Sequence, residues 1–82
     1  MKKEVTITMK DTMEATPIAQ LVSVANQYSS QIYLEMDSAR VNAKSIMGMM
    51  SMVFSTGSVV TIDAEGDDEA TAIVAIEEFL TA

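Results

Sequence analysis

Three short runs of this chain alternate apolar with polar residues, and this alternation limits its fold more than any other feature. The apolar positions are Val5, Ile7, Met9, Ile32, Leu34, Met36, Val60, Ile62 and Ala64. Because successive side chains of a β-strand point to opposite faces, this spacing predicts three strands that each bury one face. Residues 40–43, which follow the polar pair Asp37-Ser38, are predicted as one more short strand after a turn, the third of four in chain order.

Helical signals separate these strands. Thr16 and Pro17 have the residue types of an N-cap and a first helical position, which predicts a first helix that ends near Tyr28. Ser45 is predicted to cap a second helix over roughly residues 46–53.

A third helix is predicted after a turn at Gly66. Its apolar positions are Ala72, Ile73, Ile76 and Leu80. The acidic residues Asp67, Asp68 and Glu69 stand at its start, where the helix dipole favours negative charge. The resulting order βαββαβα predicts an α+β fold, in which three helices cover one face of a four-stranded antiparallel sheet. The element order alone leaves a ferredoxin-like arrangement as an alternative.

Composition narrows the functional classes. The 82 residues suffice for one domain, 1–82, and carry a net charge of −7. Nucleic-acid binding needs clustered Lys and Arg, which this chain lacks, and an anionic membrane surface would repel it. The first residues lack the apolar stretch of a signal peptide, and the longest mostly apolar run, 46–54, is too short to span a bilayer. A cytoplasmic protein is therefore expected.

The chain has neither histidine nor cysteine. The usual zinc and copper ligands, and the Ser-His and Cys-His pairs of nucleophilic catalysis, are therefore absent from the sequence. The acidic run between Asp63 and Asp68 lacks the spacing of a calcium loop, and a strand end followed by a helix start explains it better. We expect no enzyme activity, no cofactor and no metal site.

Four segments resemble one known family. The segment NAKSIMGMMS at 42–51 is similar to the second-helix signature of the HPr phosphocarrier family of the bacterial sugar phosphotransferase system. The segment GSVVTI at 57–62 resembles the family's fourth strand, and GDDE at 66–69 and AIEE at 75–78 match its last helix. The resemblance covers essentially the whole chain and implies the family's fold, an open-faced β-sandwich.

One motif of that family is missing. Its phosphocarriers have His-x-Arg-Pro at the start of the first helix, where the imidazole receives phosphate and passes it on. When Pro17 is aligned with the motif's proline, Glu14 occupies the histidine position and Thr16 the arginine position. Since the chain has no histidine, phosphate carriage is not expected. Glu14 is expected to be a solvated loop residue, and the alternative is that its carboxylate imitates the phosphorylated state.

Ser45 has two predicted roles. Serine is among the best N-cap residues, and this role alone would explain its presence. The resemblance implies a second role, because in many relatives the matching serine is phosphorylated by a dedicated bifunctional kinase. The positive end of a helix tolerates a phosphate. We therefore predict that Ser45 is both a cap and a regulatory phosphorylation site.

Methionines crowd the predicted second helix. Its positions on one broad helical face are Ile46, Met49, Met50 and Val53. Met47 and Met52 lie outside that face. In relatives, exposed apolar residues of this helix join the first helix in a docking surface, and flexible methionines suit such surfaces. Met47 and Met50, with Gln20 beside them, are predicted to bind partners, and core packing is the alternative.

These features favour a regulatory binding protein of the phosphotransferase and catabolite-regulation network. The family's histidine-lacking paralogues act in this way, through the serine and a transcription factor. Thr16 weakens the interpretation, because the family's arginine at that position contacts partners. A phosphocarrier with an atypical site at Glu14 and a structural or assembly role are the alternatives. The expected partners are proteins of that network, including a serine kinase, and we expect a monomer or a weak homodimer.

Overall fold

The computed structural model describes residues 1–8, 15–51 and 56–81, with the side chains of the first helix from Ile18 onward. The predicted order of four strands and three helices is confirmed. The elements are β1 (Lys2–Thr6), α1 (Ala15–Ala25), β2 (Gln31–Met36), β3 (Ala39–Asn42), α2 (Ile46–Met50), β4 (Val59–Glu65) and α3 (Glu69–Leu80). Within these ranges, no helix has the length and apolar character needed to cross a membrane.

The strands form one antiparallel sheet in the order β1-β4-β2-β3. Leu34 of β2 lies opposite both Ile62 of β4 and Val41 of β3, so the predicted apolar alternation continues across the sheet. β2 and β3 form a hairpin with a turn at Asp37-Ser38, as predicted. Asp37 has a φ of +56°, a left-handed conformation that aspartate tolerates better than most residues.

The helices lie on one face of this sheet. α1 contacts both α2 and α3, α3 lies over β1 and β4, and α2 contacts β3. The buried apolar side chains between these layers are Val5, Ile7, Ile18, Leu21, Ala25, Ile32, Leu34, Ala43, Met49, Val60, Ile62, Ala64, Ala72, Ile73, Ile76 and Leu80. Burial of each large aliphatic side chain contributes roughly 1.5–3 kcal/mol to folding. The other face of the sheet is open, which confirms the predicted open-faced β-sandwich.

The start of α1 corrects one prediction. The helix begins at Ala15, so Thr16 lies inside it and is not its N-cap. Pro17 remains within the first turn, where the N–H groups have no intrahelical acceptor and proline is tolerated. At the other end the helix stops at Ala25, and hydrogen-bonded turns continue the backbone to Tyr28.

The ends of β3 and α2 also differ from the prediction. β3 covers Ala39–Asn42 instead of 40–43, although the N–H of Ala43 still donates to the carbonyl of Ile32 at 2.9 Å. Such one-residue differences at the ends of elements are common. α2 covers Ile46–Met50, and residues 52–55 of the predicted helix and its exit lie outside the described part of the chain.

Two glycines have backbone conformations that other residues disfavour. Gly57 precedes β4 with a φ of +94°, and Gly66 precedes α3 with a φ of +153°. A Cβ added to Gly66 would lie 2.6 Å from the Ser30 hydroxyl oxygen, whereas a Cβ on Gly57 would meet nothing within 4 Å. Gly66 is therefore required by both its backbone conformation and the close approach of Ser30.

An ion-pair network crosses the open face of the sheet. Arg40 of β3 pairs with Glu35 of β2 and with Asp63 of β4, the latter at 3.1 Å, and lies 4.3 Å from the centre of the Tyr33 ring. Lys2 of β1 lies 3.8 Å from Glu35 and 4.0 Å from Asp63. The network thus joins all four strands, although solvent-exposed pairs each contribute little to stability.

Candidate partner-binding surface

Ser45 forms the predicted N-cap of α2. Its backbone is extended, with φ −104° and ψ 113°, and its hydroxyl oxygen accepts a hydrogen bond from the N–H of Gly48 at 3.3 Å. Its carbonyl accepts from the N–H of Met49 at 2.9 Å and so begins the helix. The side chain is only partly exposed. The capping prediction is confirmed, while phosphorylation of Ser45 stays a prediction.

The segment before Ser45 is fixed to the end of α1. The Lys44 ammonium donates at 2.7 Å to the carbonyl of Tyr28, which lies in the turn that follows α1. The Asn26 side-chain amide donates to the Lys44 carbonyl at 3.3 Å. The N–H of Lys44 donates to the Asn42 side chain at 2.8 Å. These contacts hold the start of α2 beside α1.

The outer side of α2 is apolar and exposed. Met47 is 80% exposed, Met50 is 54% exposed and Ile46 is 43% exposed; we call these three residues the α2 patch. Met49 is fully buried in the core, as its helical position predicts. The sequence pattern places Ile46 and Met50 on the same helical face as Met49, but both are exposed, so core packing, the alternative to partner binding, does not apply to Met47 and Met50. Their role in binding stays a prediction. Gln20 is exposed on α1, the helix that packs against α2.

Two long stretches of the sequence lack charged residues. Residues 15–34 and 45–62, which include α1 and α2, contain no Asp, Glu, Lys or Arg. The described lysines and Arg40 are all engaged: those of the open-face network by carboxylates, Lys3 by Glu77 at 2.8 Å, and Lys44 by a backbone carbonyl. A partner that bound the α2 patch would therefore meet mainly apolar groups and neutral hydrogen-bonding groups.

The positions of the family's relay motif are only partly described. Glu14 lies outside the described residues, so its placement stays a prediction. The backbone of Thr16 is the second residue of α1, and nothing is described of its side chain. In the part of the chain that the structure covers, no group of three or more acidic side chains could hold a metal ion. Asp63 and Asp68 instead bind protein groups at separate places.

Asp68 has a role that sequence reasoning missed. It precedes α3 but makes no side-chain capping bond. Its carboxylate accepts hydrogen bonds from the N–H of Ser29 at 2.9 Å, from the N–H of Ser30 at 3.0 Å and from the hydroxyl of Ser30. These donors, the Ser30 hydroxyl first, lower the pKa of Asp68 to about 2. Ser30 is the buried polar residue among those described, and this carboxylate satisfies it.

Known proteins similar to this chain were found both by sequence and by structure, and the two comparisons agree. The chain is 41% identical over 80 residues to the HPr-like protein Crh of Halalkalibacterium halodurans, which covers 98% of this chain and 95% of that relative. Its fold matches a crystal structure of phosphocarrier protein HPr from Bacillus anthracis with a TM-score of 0.92 and 40% identity, over 98% of this chain and 95% of the other.

A third relative has the same fold. A crystal structure of Crh from Bacillus subtilis matches with a TM-score of 0.78 and 41% identity, over 95% of this chain and 90% of the other, and is described as a swapped, intertwined dimer. The family model named "PTS HPr component phosphorylation site" matches residues 1–82. With its fold, its capped second helix and its whole-length similarity in agreement, this chain belongs to the HPr family.

Proposed function

We propose that this chain is a non-catalytic, cytoplasmic regulatory protein of the phosphotransferase network, which acts by binding other proteins through α1 and α2. Family membership places it among phosphotransferase-related proteins, and relatives named Crh share 41–44% of its residues. The absence of any histidine removes the acceptor that a phosphocarrier uses. Protein contact is then the function that the remaining features support.

The α2 patch carries this proposal. Monomeric proteins seldom expose neighbouring large apolar side chains without a binding role. Here three such side chains lie on the short helix that follows Ser45, whose buried residue is Met49. Neutral Gln20 is exposed on α1, the helix that contacts α2.

Phosphorylation of Ser45 is the proposed control of this surface. The hydroxyl is partly exposed at the helix start, and the segment around it matches the family signature. A phosphate there would add negative charge and three acceptor oxygens next to Ile46 and Met47. Lys44, next to Ser45, already donates to the carbonyl of Tyr28, and residues 45–62 contain no other cation, so the new charge would be available to a basic partner.

Self-association is the second candidate. Relatives in the solved structures are described as dimers, one of Crh and one of HPr from Thermoanaerobacter tengcongensis. β1 lies at one edge of the described sheet, next to β4, so an exchange of β1 between two copies would leave the pairing of β2 with β3 and with β4 intact. An assembly role in this chain would therefore depend on dimerisation.

Charge substitutions in α2 test the first proposal. Met47→Glu and Met50→Glu are expected to weaken binding to the transcription factor of the family's regulatory paralogues by at least about tenfold. Their free energies of unfolding should change by less than about 0.5 kcal/mol, because both side chains are exposed. The measurements are titration calorimetry with the Ser45-phosphorylated protein and urea unfolding.

Met49→Glu provides the matched control from the same helix. It places a carboxylate in the core, which is expected to cost several kcal/mol and to prevent stable folding. If the two outer variants lose as much stability as this one, the patch is core. If they fold normally and bind the transcription factor as tightly as the parent protein, α2 is not the docking surface.

A further inference from the structure

The methionines are the most readily oxidised side chains of this protein. The sequence has eight methionines and no cysteine, tryptophan or histidine. A thioether is a soft, polarisable sulfur whose oxidation depends on solvent access. The structure distributes that access very unevenly within one short helix, since Met47 is 80% exposed and Met50 is 54% exposed, while Met49 between them is fully buried.

We propose that Met47 and Met50 are sites of reversible oxidation, and that their sulfoxides convert the α2 patch from an apolar into a polar surface. The oxidant is a peroxide, which transfers one oxygen atom to the sulfur. The sulfide loses two electrons and forms an S=O bond. The O–O bond of hydrogen peroxide breaks, and its second oxygen leaves as water. Methionine sulfoxide reductases reverse the change, with one enzyme for each sulfoxide epimer. Two thiols supply two electrons and two protons and become a disulfide, and the sulfoxide oxygen leaves as water.

The fold tolerates this modification because the packing of α2 depends on other groups. Met49 supplies its buried contact, and the hydrogen bond from the Gly48 N–H to the Ser45 hydroxyl caps its start. Neither interaction involves the sulfur of Met47 or Met50. A sulfoxide at either position projects toward solvent and leaves the core as it is.

The effect on the surface is large because the sequence of α2 and of the residues that follow it supplies no charge that would mask it. Residues 45–62 include no charged side chain, so the apolar area of the α2 patch is the main feature that a partner meets. A sulfoxide adds a strong hydrogen-bond acceptor to a contact that offers apolar groups. The oxidation sites themselves do not depend on a docking role, but the consequence for binding rests on the function proposed above.

Peptide mapping of the folded protein tests the sites. After brief treatment with hydrogen peroxide, mass spectrometry is expected to show that, among the methionines of α2, Met47 forms sulfoxide first and Met50 next. Met49 should react at least about tenfold more slowly, because its sulfur is reached only through local opening. In urea all three should react at similar rates. Equal rates for Met47 and Met49 in the folded protein would overturn the proposal.

The surface change is measured by retention on a phenyl-substituted matrix, together with thermal unfolding. Oxidised protein should elute earlier than untreated protein while its unfolding temperature stays within a few degrees. The control is the double variant Met47→Leu/Met50→Leu, which keeps an apolar α2 patch without oxidisable sulfur. Met1 is exposed in both proteins, so peroxide should shorten the retention of this variant much less than that of the parent protein. An equal loss of retention in that variant, or unfolding of the parent protein on oxidation, would overturn the inference.

These readouts separate the inference from the proposed function. One outcome is that oxidation occurs at Met47 and Met50 and shortens retention while the affinity for the transcription factor stays unchanged. That result would contradict the docking role of α2 but confirm the two oxidation sites. If oxidation spares both residues, the sites fail irrespective of what the charge variants show about docking.

Discussion

Asp68 and Ser30 are joined by two hydrogen bonds across 38 residues of sequence, one to the backbone N–H and one to the hydroxyl. The same carboxylate also accepts from the N–H of Ser29. It thereby connects the start of α3 to the loop between α1 and β2. Because all three donors favour the ionised form, the pKa of Asp68 falls from its ordinary value of 3.8 to about 2.

The lowered pKa predicts an acid-sensitive contribution to stability. A carboxyl whose pKa is lower in the folded state stabilises the fold fully above its unfolded value, and this contribution is lost as the pH falls from about 4 to about 2. Asp68→Asn should therefore be less stable than the parent at pH 7, and the two stabilities should converge toward pH 2. Urea unfolding at a series of pH values measures the difference.

Asp67→Asn is the matched control for this effect. Asp67 is exposed, and no hydrogen bond or ion pair is described for it. Its variant should follow the parent protein over the whole pH range. A parallel offset between Asp68→Asn and the parent, with no convergence at low pH, would contradict the assignment of the lowered pKa to Asp68.

The two glycines with positive φ predict different costs for the same substitution. Gly66→Ala meets both an unfavourable φ and an atom only 2.6 Å away, so it should lose more stability than Gly57→Ala, which meets open space. Backbone strain alone costs about 1–3 kcal/mol, and forced repacking adds about 1–3 kcal/mol. Chemical denaturation of both variants gives the comparison, and equal losses would show that the contact with Ser30 relaxes freely.

Ser45 is expected to accept phosphate from ATP when the family's serine kinase is present. Ser45→Ala should abolish this modification and lower stability by about 1 kcal/mol through loss of the cap. Mass spectrometry locates the phosphate. The nearby Ser51 provides an internal comparison, because its hydroxyl donates to the carbonyl of Gly48 at 2.6 Å. Phosphate found only on Ser51 or Ser55 would contradict the assignment.

The missing relay histidine predicts that the chain stays unlabelled by phosphoenolpyruvate and the first enzyme of the phosphotransferase system. Glu14→His should restore weak acceptance at most, because Thr16 provides no positive charge for the phosphoryl group. Radiolabelled phosphoenolpyruvate and gel autoradiography measure transfer, with a histidine-containing family member as the positive control. Stoichiometric, acid-labile labelling of the unmodified chain would contradict the proposed non-carrier role.

The elements could be predicted because their signals are local. The alternation of apolar and polar residues around Leu34 and Ile62 indicates strands, and a serine before an apolar run, as at Ser45, indicates a helix N-cap. Both signals involve only residues that are close in sequence. The same reasoning predicted the burial of Met49. The exposure of Ile46, which shares that helical face, did not follow from the pattern, because a helical period describes a long helix better than one of five residues.

The contacts of Asp68 could not be predicted in the same way. Its position suggested an interaction with the helix dipole, and the sequence offers no period or motif that connects it with Ser29 or Ser30. Such pairs arise only when the fold brings distant segments together. The close approach of Gly66 to Ser30 belongs to the same junction and was missed for the same reason.

The pairing of β1 with β4 also determines when the fold can be completed. Lys2 lies opposite Asp63, so β1 leaves the ribosome well before β4, the strand with which it pairs. The hairpin of β2 and β3 closes over two turn residues and can form early, whereas the loop between β1 and β4 has a larger closure entropy. Val5 and Ile7 therefore stay without their neighbouring strand until β4 has been synthesised, and the sheet is complete only when β4 enters between β1 and β2.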